Sequence, residues 1–280
     1  MPLSMNEQSV SIAFQTDKPL GAYGELAALA EGYGFDTVTL YNDLLFQPAW
    51  LPLLEVARHT TRVRLGPAAV NPFTCHPLNI AGNIALLDEA SQGRAYLGIA
   101  RGSWLDFLGI EPERPVTALR EAIECVKNLL AQSRVPYAGK VFRLAGGDSL
   151  RWRILRADIP ILLGAWGAQT IQACIQHIAE VKVGGTANPA VIRQVRAVVA
   201  EAARRAGRKA ESIGVVAGAV TVVDEDGAAA RALARRKAAL YLPVIAGLDR
   251  TLDMEPALLE RIKACTQAYD FDAAGRLIPD

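Results

Sequence analysis

The sequence predicts an α/β fold built on a parallel sheet, either closed into a barrel or doubly wound. Short apolar runs of strand length alternate with longer helical patterns almost throughout. The 280 residues suit one large domain, and at 51% hydrophobic and 21% charged the chain can bury a large core. Residues 64–102 give the clearest single unit. An apolar strand enters the polar loop NPFTCHP (71–77), an amphipathic helix follows, and a second apolar strand begins after a Gln-Gly-Arg turn. In parallel α/β folds the loops that follow strands lie at their carboxyl ends, where ligands bind.

Taken in order, strands are expected at 10–15, 37–41, 63–70, 95–100, 159–164, 180–183 and 213–223. Helices are expected at 20–32, 50–60, 78–90, 116–132, 168–179, 190–206 and 227–245. In the fourth helix Leu119, Ile123, Val126 and Leu130 share one face. In the sixth, Val191, Val195, Val198 and Ala202 share a side, with Arg193, Arg196, Arg204 and Arg205 facing outward. The alternating stretch YAGKVFRL (137–144), between Pro136 and Gly146–Gly147, marks an insertion at 133–150 between the fourth helix and fifth strand. This gives seven βα units rather than eight, because residues 255–280 read as helical and reach the end without another strand. Residues 1–8 read as a disordered stretch or an extension, without the basic start and apolar core of a secretory signal.

The net charge of +1 calls for neither nucleic acid nor an anionic membrane as partner. The longest apolar runs, such as 159–164, fall far short of a membrane span. Four scattered cysteines (75, 125, 174 and 265) read as reduced thiols of a cytoplasmic protein. The three histidines (59, 76 and 177) lack metal-ligand spacing, so no metal is expected.

Six segments carry a resemblance: LGPAAVNPFTCHP, LDEASQGRAYLGI, LGIEPERPVTALREAIE, YAGKVFRL, IPILLGAWG and VKVGGTANP. In this order, across roughly residues 10–225, they resemble the luciferase-like oxidoreductases, most closely the branch containing methylenetetrahydromethanopterin reductase. The resemblance implies a TIM (β/α)8 barrel of the bacterial luciferase-like type as a single domain over 1–280, with the eighth unit missing from the chain. It implies hydride transfer between the deazaflavin coenzyme F420 and a small organic substrate, and a homodimer. One rival is an FMN-dependent monooxygenase or reductase on the same fold. Another, of a different class, is a non-catalytic barrel serving as a binding partner.

The same resemblance implies that the end of the third strand, Ala68, Ala69, Val70 and Asn71, bulges against the cofactor ring, with a non-prolyl cis peptide at Ala68–Ala69. Two glycine-containing turns read as phosphate contacts: Gly164, Ala165, Trp166, Gly167 and Thr170 in one, and Gly184, Gly185, Thr186 and Asn188 in the other. Asn188 before Pro189 equally fits a helix N-cap with proline at the first helical position. Arg101 is expected to meet either a phosphate or the acidic tail of the cofactor, or instead to pair with Asp106 or Glu111. Asn42, Asp43 and His76 are the candidates for catalysis at the substrate. The bland readings are a loop cap for Asp43 and a helix entry for His76, which precedes Pro77. Leu44 stands where sugar-phosphate dehydrogenases of the superfamily carry histidine, and Cys75 where the family's common form carries arginine.

Overall fold

The structure, a computed structural model, describes residues 8–249 and 251–279. Apart from Gln8, the extension expected at 1–8 lies outside the described residues. The chain forms two units: Met1–Val181 with Ala200–Gly214, and Lys182–Val199 with Val215–Asp280.

The first unit opens with β1 (Ser11–Phe14), α1 (Ala22–Gly32), β2 (Thr37–Leu40), α2 (Trp50–His59), β3 (Arg64–Pro67), α3 (Pro77–Ala90) and β4 (Leu97–Ala100). It continues through α4 (Pro115–Leu130), the short strands β5 (Tyr137–Ala138) and β6 (Arg143–Leu144), β7 (Ile161–Gly164), α5 (Ala168–Cys174) and the start of β8 (Glu180–Gly184). β1 pairs with β2 and β2 with β3, both parallel. Bridges Leu65↔Ala95 and Val70↔Ile99 set β4 beside β3, and β4 pairs in parallel with β7. The run goes on where Ala179 N–H donates to Ile161 O (2.8 Å) and Gly214 N–H donates to Ala179 O (2.9 Å).

Strands in such a sheet are covered on both faces and therefore read as continuous apolar runs. Leu40, Leu65, Leu97, Ile99 and Leu163 of the strands, with Tyr23, Leu53, Ile80, Ile84, Leu119 and Ile123 of the helices, are fully buried. β3 and β4 approach so closely that a Cβ at Gly66 would strike the Tyr96 carbonyl, and one at Gly98 the Pro67 carbonyl. Glycine is required there by space rather than by dihedral freedom.

Several boundaries differ from the sequence expectation. The strand expected at 63–70 stops at Pro67, ahead of a cis peptide bond between Ala68 and Ala69. The helix expected at 168–179 ends at Cys174. The strand expected at 213–223 ends at Gly218, as β9 (Gly214–Gly218). In α6 (Pro189–Arg205) the buried face is Val191, Val195, Val199 and Ala202, so Val199 takes the place expected for Val198. The helix expected at 227–245 divides into α7 (Gly227–Ala238) and α8 (Leu242–Leu248) around Pro243, whose ring cannot continue a helix laid down before it. In the second unit α9 (Pro256–Gln267) and α10 (Phe271–Leu277) follow, and among the described residues no strand comes after β9. Ala239, Ile262 and Ala274 form the buried centre of these helices. No helix among the described residues is long and apolar enough to cross a membrane.

Long-range polar side chains fasten the first unit's connections. The Arg94 guanidinium donates to the carbonyls of Ala57, Thr60, Val63 and Ser91 and to the Thr60 hydroxyl, tying the ends of α2 and α3 to the start of β3. Asp88, fully buried, receives Arg156, whose guanidinium also donates to Ala95 O (2.9 Å). Glu121, 1% exposed, accepts from the amides of Lys140 (2.9 Å), Val141 (2.8 Å) and Phe142 (3.1 Å), fixing the β5–β6 hairpin to α4. Glu31 does the same for the α2–β3 turn, accepting from Thr61 N (2.9 Å), Arg62 N (2.6 Å) and Val63 N (2.7 Å). Burial works to raise the Glu31 pKa, but the three amides outweigh it and bring it down from 4.5 to about 2.

The folded-state pKa of Glu31 is therefore below its unfolded value, and its stabilisation is complete above about pH 4.5 and lost as pH falls toward 2. Glu31→Gln is expected to cost about 1–3 kcal/mol at pH 7. The gap from the parent should shrink in urea unfolding repeated between pH 4 and pH 2.

Candidate functional site

The two ends of the first unit's sheet differ in chemistry. At the amino ends, Arg64 at the start of β3 donates both terminal nitrogens to Glu180 at the start of β8 (3.2 and 3.1 Å). The Arg64 guanidinium stacks over the Tyr96 ring at 5.4 Å, just before β4. The Tyr96 hydroxyl shares a 2.6 Å hydrogen bond with Thr39 of β2 and lies 3.3 Å from Gly66 O. Burial pushes the Tyr96 phenol well above its ordinary pKa. Burial opposes the charge on Arg64, and the Glu180 carboxylate more than restores it.

At the carboxyl ends the side chains become small. A Cβ at Gly164, the last residue of β7, would lie 3.1 Å from Ala100 Cβ and 4.0 Å from Ala69 Cβ. Ala69, Ala100 and Gly164 are half-buried, while Ala68, Val70 and Ala165 beside them are buried. Three adjacent strands thus end in a floor of small, partly exposed residues. Ala100 was not among the residues expected at the site. Its signal is its pairing in register with Gly164, which no local pattern reveals.

The loops around this floor hold most of the other candidates. Asn71, 8% exposed, accepts from the amides of Phe73 (3.0 Å) and Thr74 (2.9 Å), so it shapes the loop after β3. A Cβ at Gly102 would touch the Asn71 side chain, so the loops after β3 and β4 abut. His76 caps α3, its Nδ1 accepting from Leu78 N (3.1 Å), and its ring meets Phe142 edge-on at 5.7 Å. With Nδ1 as acceptor, the neutral imidazole carries its proton on Nε2 and offers a donor. Asn42 Oδ1 accepts from Ala49 N (3.0 Å) and closes the loop after β2. Asp43 accepts from Gln15 Nε2 (3.1 Å). Arg101 is exposed at the start of the loop after β4. Trp166 and Thr170 are half-buried and Gly167 is exposed in the turn after β7. Among the described residues there is no cluster of three or more metal-ligating side chains. Cys125 and Cys174 are buried free thiols, with Cys75 and Cys265 half-buried.

In the second unit, the loop 184–188 is organised from within. Gly185 has φ +86°, and a Cβ there would run into Tyr241. Thr186 Oγ1 accepts from Asn188 N (3.0 Å), and Asn188 Oδ1 caps α6 by accepting from Ala190 N (2.9 Å). Asn188 Nδ2 donates to Asp249 (2.7 Å) and Thr251 Oγ1 (3.0 Å). Hydrogen bonds from the Thr251 hydroxyl and amide, with that of Asn188, hold the Asp249 carboxyl below the usual carboxylate range. The helix-cap reading of Asn188 is thus the one this geometry expresses. The Thr186 and Asn188 side chains are engaged inside the unit.

A family model described as luciferase-like monooxygenase matches residues 3–280. A 5,10-methylenetetrahydromethanopterin reductase of Methanolobus tindarius is 28% identical over 276 residues, covering 96% of this chain and 82% of the relative. Among solved structures, a coenzyme F420 dependent tetrahydromethanopterin reductase from Methanopyrus kandleri matches with a TM-score of 0.81 at 25% identity, over 97% of this chain and 83% of that one. The monooxygenase RslO1 from Streptomyces bottropensis matches with a TM-score of 0.70 at 25% identity, over 96% and 83%.

The Asn188 network carries its own test. Asn188→Ala removes the α6 cap and one partner of Asp249, and is expected to cost about 1–2 kcal/mol in urea unfolding at pH 7. An unchanged midpoint would show that the network contributes nothing to stability.

Proposed function

The chain belongs to the luciferase-like monooxygenase family, and from that premise we propose that it is an oxidoreductase moving a hydride between coenzyme F420 and a carbon of a small organic substrate. The observation that carries this reading is the match, over nearly the whole chain, to methylenetetrahydromethanopterin reductase and to an F420 dependent structure. The fold is read as a single luciferase-like domain of the TIM-barrel type, supported by the alternation of parallel strands and helices through the first unit. A homodimeric, cytoplasmic protein belongs to the same reading, supported by the resemblance and the free thiols.

The floor of Ala69, Ala100 and Gly164 suits a flat ring, because its side chains are no larger than a methyl group. The deazaflavin, when bound, supplies the two-electron chemistry. The chain's part is to seat and orient it. Ala68, Ala69 and Val70 back the ring, and Asn71 keeps the adjoining loop in shape. Arg101 and the turn from Gly164 through Ala165, Trp166 and Gly167 to Thr170 are assigned to the anionic tail. By itself, the loop 184–188 offers an anion its backbone groups and the Thr186 O–H, since Thr186 Oγ1 is engaged as an acceptor while Asn188 Nδ2 donates to Asp249 and Thr251. His76 Nε2–H and Asp43 face the substrate role, and Asn42 acts by holding its loop closed.

A monooxygenase is the second reading, favoured by the likeness to the monooxygenase RslO1, with FMN as the cofactor that the family resemblance implies for it. Titrating the purified chain with F420 and, separately, with FMN under fluorescence distinguishes the two. Ala100→Leu, which raises a side chain from the floor, is expected to weaken F420 binding at least tenfold while far-UV circular dichroism is unchanged. Unaltered affinity would remove the ring from this floor.

A further inference from the structure

Two loops of the first unit hold large apolar side chains away from the core. After β2, Leu45 and Phe46 are 75% and 45% exposed, and after β4, Phe107 and Leu108 are 52% and 46% exposed. Because β3 lies between β2 and β4, these loops stand on either side of the Ala68–Asn71 bulge. Other exposed apolar residues of the unit, such as Leu29, Leu51 and Leu86, sit on helix surfaces, where single exposed leucines are ordinary.

The backbone sets the same two loops apart. Among the described residues, Gln92, Gln132 and Tyr269 adopt positive φ just after helices, where that conformation commonly ends a helix. Leu45 (φ 67°) and Trp104 (φ 53°) adopt it elsewhere, each in one of the two apolar loops. Bulky side chains are poorly suited to the left-handed region, and such positions gather at binding sites. The charge pattern is equally selective. Residues 42–49 and 102–110 contain no lysine or arginine, and each stretch contains an aspartate, Asp43 and Asp106. Within these two stretches an anionic molecule would find no countercharge; the cations of the loop after β4 stand at its two ends, Arg101, assigned above to the cofactor's tail, and Arg114, the residue before α4.

We propose that the loops after β2 and β4 seat a neutral, largely apolar substrate, with Leu45, Phe46, Phe107 and Leu108 gripping its hydrocarbon part. The assignment deepens the hydride-transfer reading and rests on it for the site's position.

The test uses straight-chain methyl ketones of three to nine carbons as probes, against keto-carboxylates of matched length. Both are titrated into the full chain by tryptophan fluorescence, and F420 affinity is measured separately. Ketone affinity is expected to rise about fourfold per added methylene, with the keto-carboxylates binding at least tenfold more weakly. The double variant Leu45→Asn with Phe107→Ser, exposed positions whose first replacement tolerates positive φ, should flatten the chain-length dependence and leave F420 affinity unchanged. Ketone binding independent of length, or tighter binding of the carboxylates, overturns the proposal even if F420 binds. If the length dependence holds while F420 fails to bind, the apolar site stands and the hydride-transfer reading falls. A double variant that keeps the full length dependence overturns the assignment to these residues.

Discussion

The ion pair between Arg64 and Glu180 is the constraint around which the first unit is arranged. It joins the first residues of β3 and β8 with two parallel hydrogen bonds, while Tyr96 supplies a ring face to the guanidinium. Partly buried charges are costly unless paired and hydrogen-bonded. Once formed, the pair tolerates little relative movement of those strand ends. It also places the bulky polar groups at the amino ends of the strands. The carboxyl ends are left to the small residues Ala69, Ala100 and Gly164.

Connections outside the sheet follow a second rule. Turns that neither helix nor strand can satisfy receive a charged side chain from a distant part of the chain. Glu31 serves three successive amides, Glu121 another three, and Arg94 fills four carbonyls and a hydroxyl. Buried backbone polar groups require partners, and a single ionised side chain with several acceptor or donor sites meets that need compactly.

Much of this was legible in the sequence, for reasons specific to each part. Buried parallel strands announce themselves as apolar runs, and the Leu119–Ile123–Val126–Leu130 stripe follows directly from helical geometry. The cis bond at Ala68–Ala69, and the proposal of a site after β3, came through the family resemblance, since small residues at a strand end are uninformative alone. The helix-entry role of His76 was readable from the proline after it. Other features depend on partners far along the chain. Asn188 meets Asp249 across 61 positions, and Arg64 meets Glu180 across 116. Ala100 gains its meaning only from its partner strand. Local pattern carries no trace of such pairings.

The Glu121 clasp has a consequence for how such chains can change. An insertion between a helix and the next strand ordinarily adds loop-closure entropy to the assembly of the sheet. Here the excursion is closed locally, on the helix that precedes it, by a carboxylate that takes up its amides. The hairpin therefore belongs to α4 in mechanical terms, and the distance it adds is not felt by the register of β4 with β7. A segment anchored in this way can be lengthened, shortened or exchanged over generations while the sheet beneath it stays in place.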